Sequence, residues 1–167
     1  VNFAHQGVHV HLIDTPGYPD FSGQAMAALA GVDTALVVIN AQTGIELATT
    51  RMMNAAAARG LARMIVINKI DAESLDLPRL ISVIQAQFGK HCLVLDLPAH
   101  DRHDMVDVLT QSGGDSDFDS VANAHRALID QISQRGAGHR RIDRGARGVQ
   151  GPAASVARSG HRRTAAA

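Results

Sequence analysis

The chain has 167 residues, 46% of them hydrophobic, and its 16 Lys/Arg balance 16 Asp/Glu, a composition that suits one ordinary globular domain. Its single cysteine, Cys92, excludes an internal disulfide and fits a reducing compartment. No apolar run approaches the roughly 18 residues needed to span a membrane, and Val1-Asn2-Phe3-Ala4-His5 lacks the charged and apolar regions of a signal peptide. The start also has no initiator Met and reads as if already inside a domain. Aromatics are confined to Phe3, Tyr18, Phe21, Phe88 and Phe118, so small aliphatics must build the core.

The zero net charge hides two unlike segments. Residues 1–132 carry 8 Lys/Arg against 15 Asp/Glu, whereas residues 133–167 carry 8 Arg against the single acid Asp143. Segments this different are read separately.

In chain order, Val8–Ile13 alternates and then turns apolar, which predicts a strand ending at the turn signal Asp14-Thr15-Pro16-Gly17. Ser22–Ala30 reads as a short helix and Ala35–Asn40 as a buried strand. Glu46–Arg59 is helical, with apolar positions at Leu47, Met52, Met53 and Ala56 to Ala58, and Gly60 as its stop. Met64–Asn68 is a second buried strand. Pro78–Phe88 forms a helix whose apolar face is Leu80, Ile81, Ile84 and Phe88, with Gly89 following. Apolar strands alternating with helices predict a parallel sheet covered on both faces. Beyond it, Leu93–Leu97 reads as a strand, Asp101–Asp107 as polar, and Gly113–Asp119 as a loop. Val121–Ile132 reads as an amphipathic helix with Val121, Ala124, Leu128 and Ile132 on one side. From Ser133 the apolar pattern collapses: Arg, Gly and Ala make up 22 of 35 residues, a composition expected to stay disordered.

Two motifs carry chemistry. Asp14-Thr15-Pro16-Gly17 lies at the expected carboxyl end of a strand, where open α/β sheets bind ligands. A carboxylate there can hold a magnesium-bound water, and a glycine amide can approach a terminal phosphate. Asn68-Lys69-Ile70-Asp71 ends the next-but-one strand. Asp71 can accept two hydrogen bonds from the N1 and N2 donors of guanine, which adenine does not offer. Asn68 can brace the loop, and the Lys69 stem can lie over the base. Each tetrapeptide alone is also compatible with an ordinary strand-to-turn connection. Their order and spacing, with one strand–helix unit between them, make the pair specific.

The flanks extend the pattern. Asp14-Thr15-Pro16-Gly17-Tyr18-Pro19-Asp20-Phe21 resembles the switch II segment of translational GTPases, and Ala41-Gln42-Thr43-Gly44-Ile45-Glu46 resembles the stretch after their next strand. Phe88-Gly89, Leu95-Asp96-Leu97-Pro98 and Ser120–Asp130 resemble the subdomain inserted in the G domain of elongation factor G. The resemblance covers about residues 1–132. It implies an α/β fold: a truncated P-loop GTPase (G domain) with a parallel sheet, lacking the first strand and P-loop, plus the basic tail. It divides the chain into a partial GTP-binding domain (1–88), the start of the inserted subdomain (89–132) and the tail (133–167). It implies a cytoplasmic GTPase that binds GTP/GDP and Mg²⁺ and works on the ribosome, with no membrane partner. By the same resemblance Asp14, Thr15, Pro16, Gly17, Asn68, Lys69 and Asp71 contact the nucleotide, and Asp14 holds Mg²⁺ through water. The Gly17 amide meets the γ-phosphate. Tyr18 stands where the family has a water-positioning histidine, and a phenol does not replace that near-neutral group.

No Gly-x-x-x-x-Gly-Lys-Ser/Thr occurs: the one Gly-Lys, Gly89-Lys90, is followed by His91, and Ile84 holds the first glycine's place. The first strand, P-loop and switch I are expected to precede Val1. Loss of three charge-assisted phosphate hydrogen bonds removes about 5–9 kcal/mol, or about four to six decades of affinity, so this chain alone is expected to bind GTP negligibly. Without its central strand the sheet is expected to be poorly stable.

The remaining features have bland readings. His9 and His11 are strand-surface histidines, and His100, Asp101, His103 and Asp104 belong to a solvated loop. Cys92 has no catalytic partner. The tail composition matches GC-rich coding DNA read out of frame, which is preferred over an RNA-binding arm. Two other readings of the whole chain are a remnant without GTPase activity and an Arg-rich RNA-binding protein; nucleotide binding and salt-dependent RNA binding discriminate them.

Overall fold

The computed structural model describes residues 1–139 and 152–156. The first element is a hairpin of β1 (Asn2–His5) and β2 (Val8–His11), paired antiparallel in the register Asn2↔His11 to His5↔Val8. Its two-residue turn places Gln6 at φ 48 and Gly7 at φ 80. Two consecutive positive φ values define the hairpin turn whose twist matches that of its strands, and glycine enters that region without a Cβ clash.

A parallel α/β unit follows: α1 (Ser22–Ala28), β3 (Thr34–Asn40), α2 (Leu47–Ala58), β4 (Ala62–Asn68) and α3 (Leu77–Phe88). Strands β3 and β4 pair in parallel from Thr34↔Ala62 to Asn40↔Asn68, with α2 as the crossover. β7 (Pro152–Val156) adds in parallel to the other side of β4, so the order is β3-β4-β7. The local signals read from the residues operate as expected in α3. Asp76 caps it by accepting the Arg79 amide at 2.9 Å, Pro78 sits in the first turn, and Gly89 closes it at φ 109. In α2, Met53 and Ala56 are buried and Gly60 (φ 68) ends the helix, but Leu47 is exposed.

Period-2 alternation sorts the sheet. Ala35, Ile39, Ile65 and Ile67 are buried against Leu29, Met53 and Ala56 on one side and Leu77 and Ile84 of α3 on the other part of the same face. The opposite face is open: Leu36 is 49% exposed and Val38 56%, with Met64 and Val66 half-buried. Among the described residues, helices α1–α3 cover a single face, which corrects the expectation of a sheet covered on both. The physical reason is that α2 and α3 bury their apolar side chains against the same odd-numbered strand positions, with Met26 of α1 half-buried against the cluster of Leu29, Ala35 and Ala56.

A second core forms beyond α3. β5 (Asp96–Ala99) and β6 (Asp104–Asp107) pair antiparallel, and α4 (Val121–His139) packs on them through Val121 and Leu128, which meet Leu97 and Val108. Two further expectations are corrected. The strand expected over Val8–Ile13 as part of the parallel sheet stops at His11 and pairs with β1. Asn2–His5 lies one tight turn away and offers an immediate antiparallel partner. The segment from Ser133, expected to be disordered throughout, is partly ordered. Helix α4 continues to His139, carried on from a well-anchored first half, and Pro152–Val156 uses the unpaired edge of β4. The rest of that segment, 140–151 and 157–167, lies outside the described residues.

Candidate functional site

The carboxyl ends of β3 and β4 present two asparagines in register, Asn40 and Asn68. Each turns its side-chain oxygen back on its own loop. Asn40 Oδ1 accepts the Gln42 amide at 3.0 Å, and Asn68 Oδ1 accepts the Lys69 amide at 2.8 Å. The Asn68 carbonyl also accepts the Ala41 amide at 2.9 Å, which ties the two strand ends together. Such short side-chain-to-backbone bonds hold a chain in non-repetitive conformations.

The loop after β4 is built from both ends. Lys69 adopts φ 59, a left-handed conformation that turns the chain sharply after the strand. Ile70 is 1% exposed and anchors the loop in the core beside Ile67 and Leu77. Lys69 and Asp71 on either side of it stay exposed. A buried apolar residue between two exposed charged ones fixes the loop and sets Lys69 and Asp71 on its solvent side. The Asn68 side chain bonds within the loop through the Lys69 amide, and Asn68, Lys69 and Asp71 share one turn.

A third brace was invisible in the sequence. Arg102, in the β5–β6 turn, donates from Nη1 to the carbonyls of Ile70 at 3.1 Å and Ala72 at 2.9 Å. The sequence separations are 32 and 30 residues, so neither motif nor periodicity marks the contact. The positive charge of Arg102 inside a His/Asp-rich turn was the one available signal.

The Asp14–Gly17 segment is built differently. It follows β2, whose hairpin is not part of the β3-β4-β7 sheet. Leu12 and Ile13 are 51% and 53% exposed, and Asp14, Gly17 and Tyr18 are exposed as well, with Thr15 half-buried. The two motifs were expected at one sheet edge; the structure puts only Asn68–Asp71 there, since β2 has no pairing to β3. A Cβ on Gly17 would meet nothing within 4 Å, so packing does not demand glycine at this place. Asp14 offers a hard carboxylate oxygen on an open surface, and among the described residues no group of three or more His, Cys, Asp or Glu side chains gathers to hold a metal. That donor set fits a Mg²⁺ ion held mainly by water and phosphate, not a closed protein cage.

His9 and His11 stand exposed on one face of β2, where His11 Nδ1 bonds Asn2 Oδ1 at 2.8 Å. Cys92 is buried, and burial pushes its thiol up to about 11 against a smaller opposing effect of Arg63, so it stays protonated at neutral pH.

The model of the elongation factor Tu GTP binding domain matches residues 1–143 of this chain. The chain belongs to that family of translational GTPase domains. The match passes Ile132 and includes the part of α4 that the sequence pattern assigns to the tail. Among curated proteins, the elongation factor G-like protein of Mycobacterium tuberculosis is 31% identical over 144 residues, covering 78% of this chain and 20% of that relative. Peptide chain release factor 3 of Buchnera aphidicola is 34% identical over 98 residues, covering 59% of this chain and 19% of that relative. The chain therefore spans about a fifth of the length of the curated relatives it matches. Among solved structures, ttk003000868 from Thermus thermophilus superposes with a TM-score of 0.71 at 23% identity, over 93% of this chain and 28% of that one. That likeness establishes the fold. Among the described residues no helix is long and apolar enough to cross a membrane.

Proposed function

We propose that this chain is the guanine-reading and γ-phosphate-sensing part of a translational GTPase that hydrolyses GTP on the ribosome. The observation that carries the reading is the Asn68–Asp71 turn at the carboxyl end of β4, with an exposed Asp71 carboxylate beside a buried Ile70. Asp71 accepts from N1–H and N2–H of guanine, and the Lys69 stem lies along the base. Asp14 holds a Mg²⁺-bound water, the Gly17 amide approaches the γ-phosphate, and Tyr18 offers a hydroxyl donor in the histidine's place without that group's near-neutral titration. A bound Mg²⁺ neutralises charge on the phosphates. Because the sequence contains no Gly-x-x-x-x-Gly-Lys-Ser/Thr, most phosphate affinity is missing from the chain as it stands, and base recognition is what remains to be measured.

The test is a titration of the isotopically labelled chain with millimolar GDP and, separately, ADP, read from backbone amide signals. GDP is expected to shift the signals of Asn68 to Ala72, and ADP to leave them in place. Equal shifts with both nucleotides, or none with GDP, overturn the proposal and favour a remnant without nucleotide recognition.

A further inference from the structure

Residues His100, Asp101 and Arg102 adopt φ values of 52, 55 and 64, three consecutive left-handed conformations without a glycine among them. Left-handed backbone is unfavourable for residues with a Cβ, so something must hold this turn. The holder is Asp117, sixteen residues from Asp101. Its Oδ1 accepts the Asp101 amide at 3.1 Å and its Oδ2 accepts the Arg102 amide at 2.7 Å. Consecutive left-handed residues turn their amides toward one point, and a carboxylate fills the concavity they make. Asp117 is itself fixed, because its own amide donates to the Pro98 carbonyl at 2.9 Å.

The turn so held aims one side chain out of the second core and onto the first. Arg102 is half-buried, and its Nη1 bridges the carbonyls of Ile70 and Ala72. These two residues bracket Asp71. A guanidinium donating to both carbonyls fixes the backbone before and after the carboxylate that reads the base, and the Ala72 amide closes back on the Lys69 carbonyl at 3.4 Å. The bond from Ala72 is long, so the loop depends on Arg102 for its closure.

We propose that Arg102, held by the Asp117-filled turn, is a positioning residue for guanine recognition, fixing the loop that presents Asp71. The inference rests on the guanine-reading function above. It follows that the β5–β6 hairpin and the Gly113–Asp119 loop act on nucleotide selectivity without touching nucleotide. Two-point recognition by a carboxylate is sensitive to its orientation. A loosened loop therefore loses discrimination between guanine and hypoxanthine, which lacks the N2 amine, before it loses binding altogether.

Three variants of the full chain test this: Arg102→Met keeps most of the stem and removes the donors, Arg102→Lys keeps a donor, and Asp117→Asn weakens the anchor. Hydrogen exchange by mass spectrometry across 69–76 is the first readout, with 62–68 in β4 as the control. Losing two hydrogen bonds is expected to speed exchange in 69–76 by about tenfold in Arg102→Met. Arg102→Lys restores most of the protection. Asp117→Asn speeds exchange both in 100–103 and in 69–76, a propagation that a purely local role of Asp117 does not produce. The second readout is the ratio of GDP to IDP response of the Asp71 amide signal, expected to fall several-fold in Arg102→Met. Exchange in 69–76 unchanged by Arg102→Met, or raised equally in 62–68, overturns the proposal. A GDP-to-IDP ratio that stays the same in Arg102→Met overturns the role of Arg102 alone. Absence of any guanine-selective shift in the unsubstituted chain overturns the guanine-reading function itself, whatever the exchange pattern.

Discussion

The Asp14–Gly17 and Asn68–Asp71 segments are alike in sequence specificity and unlike in construction. Asn68–Asp71 leaves a strand paired on both sides, is anchored by buried Ile70, is braced by Asn68 within its own loop, and is tied by Arg102 from another core. Asp14–Gly17 leaves a two-stranded hairpin whose residues are nearly all exposed, and Leu12 and Ile13 before it stand in solvent. The difference shows that a motif gives the chemistry of a loop, while its geometry depends on what the preceding strand is paired with. A carboxylate at the end of a buried strand is held; the same residue type after an isolated hairpin is only connected. Two-stranded hairpins alone are marginal in water.

The largest test of this contrast is at the core under each motif. Ile67→Ala deletes a fully buried side chain beneath the Asn68–Asp71 loop and is expected to cost about 2–5 kcal/mol, whereas Ile13→Ala is expected to stay within about 0.5 kcal/mol. Chemical denaturation followed by circular dichroism measures both. Comparable losses at the two sites would erase the distinction drawn between the regions.

A smaller effect sharpens the chemistry of the held loop. Asp71→Asn replaces a double acceptor by one acceptor and one donor, which suits N1–H and the C2 carbonyl of xanthine. The preference for GDP over XDP is expected to fall by about ten- to a hundredfold, since each hydrogen bond to a charged group contributes about 1.5–3 kcal/mol. Competitive titration with the two diphosphates reads the change, and an unaltered preference would place base recognition elsewhere.

The smallest effect lies in the second core. Asp107 is held below its ordinary 3.8 by the Thr110 hydroxyl at 2.8 Å and by the Leu109 amide at 2.8 Å, with a weaker contribution from the Thr110 amide. A depressed folded value means the stabilisation is present above 3.8 and is lost as pH falls through the folded value. Thr110→Val is therefore expected to lower stability slightly at neutral pH, with the difference from the parent chain vanishing on acidification. Solvent screening at this site keeps the effect small. Thermal unfolding at neutral and strongly acidic pH checks the sign.

The sequence by itself determined the local elements whose signals are short-range. Asp76, Pro78 and Gly89 bound α3, Gly60 ends α2, and the apolar runs of β3 and β4 mark them as strands, although both of their faces are apolar and the burial of the odd-numbered positions alone is not encoded there. It also determined the chemistry of Asn68–Asp71, because residue types fix donors and acceptors whatever surrounds them. Only the tertiary structure decided which strands pair. Val8–His11 took its nearest partner instead of the sheet, Pro152–Val156 joined the free side of β4, and the helices gathered on one face. It alone placed Arg102 over Ile70 and Ala72, contacts closed across 32 and 30 residues that no local pattern encodes. Strand pairing and long-range hydrogen bonds depend on which edges and carbonyls remain free once the core has packed, and that is a property of the assembled chain.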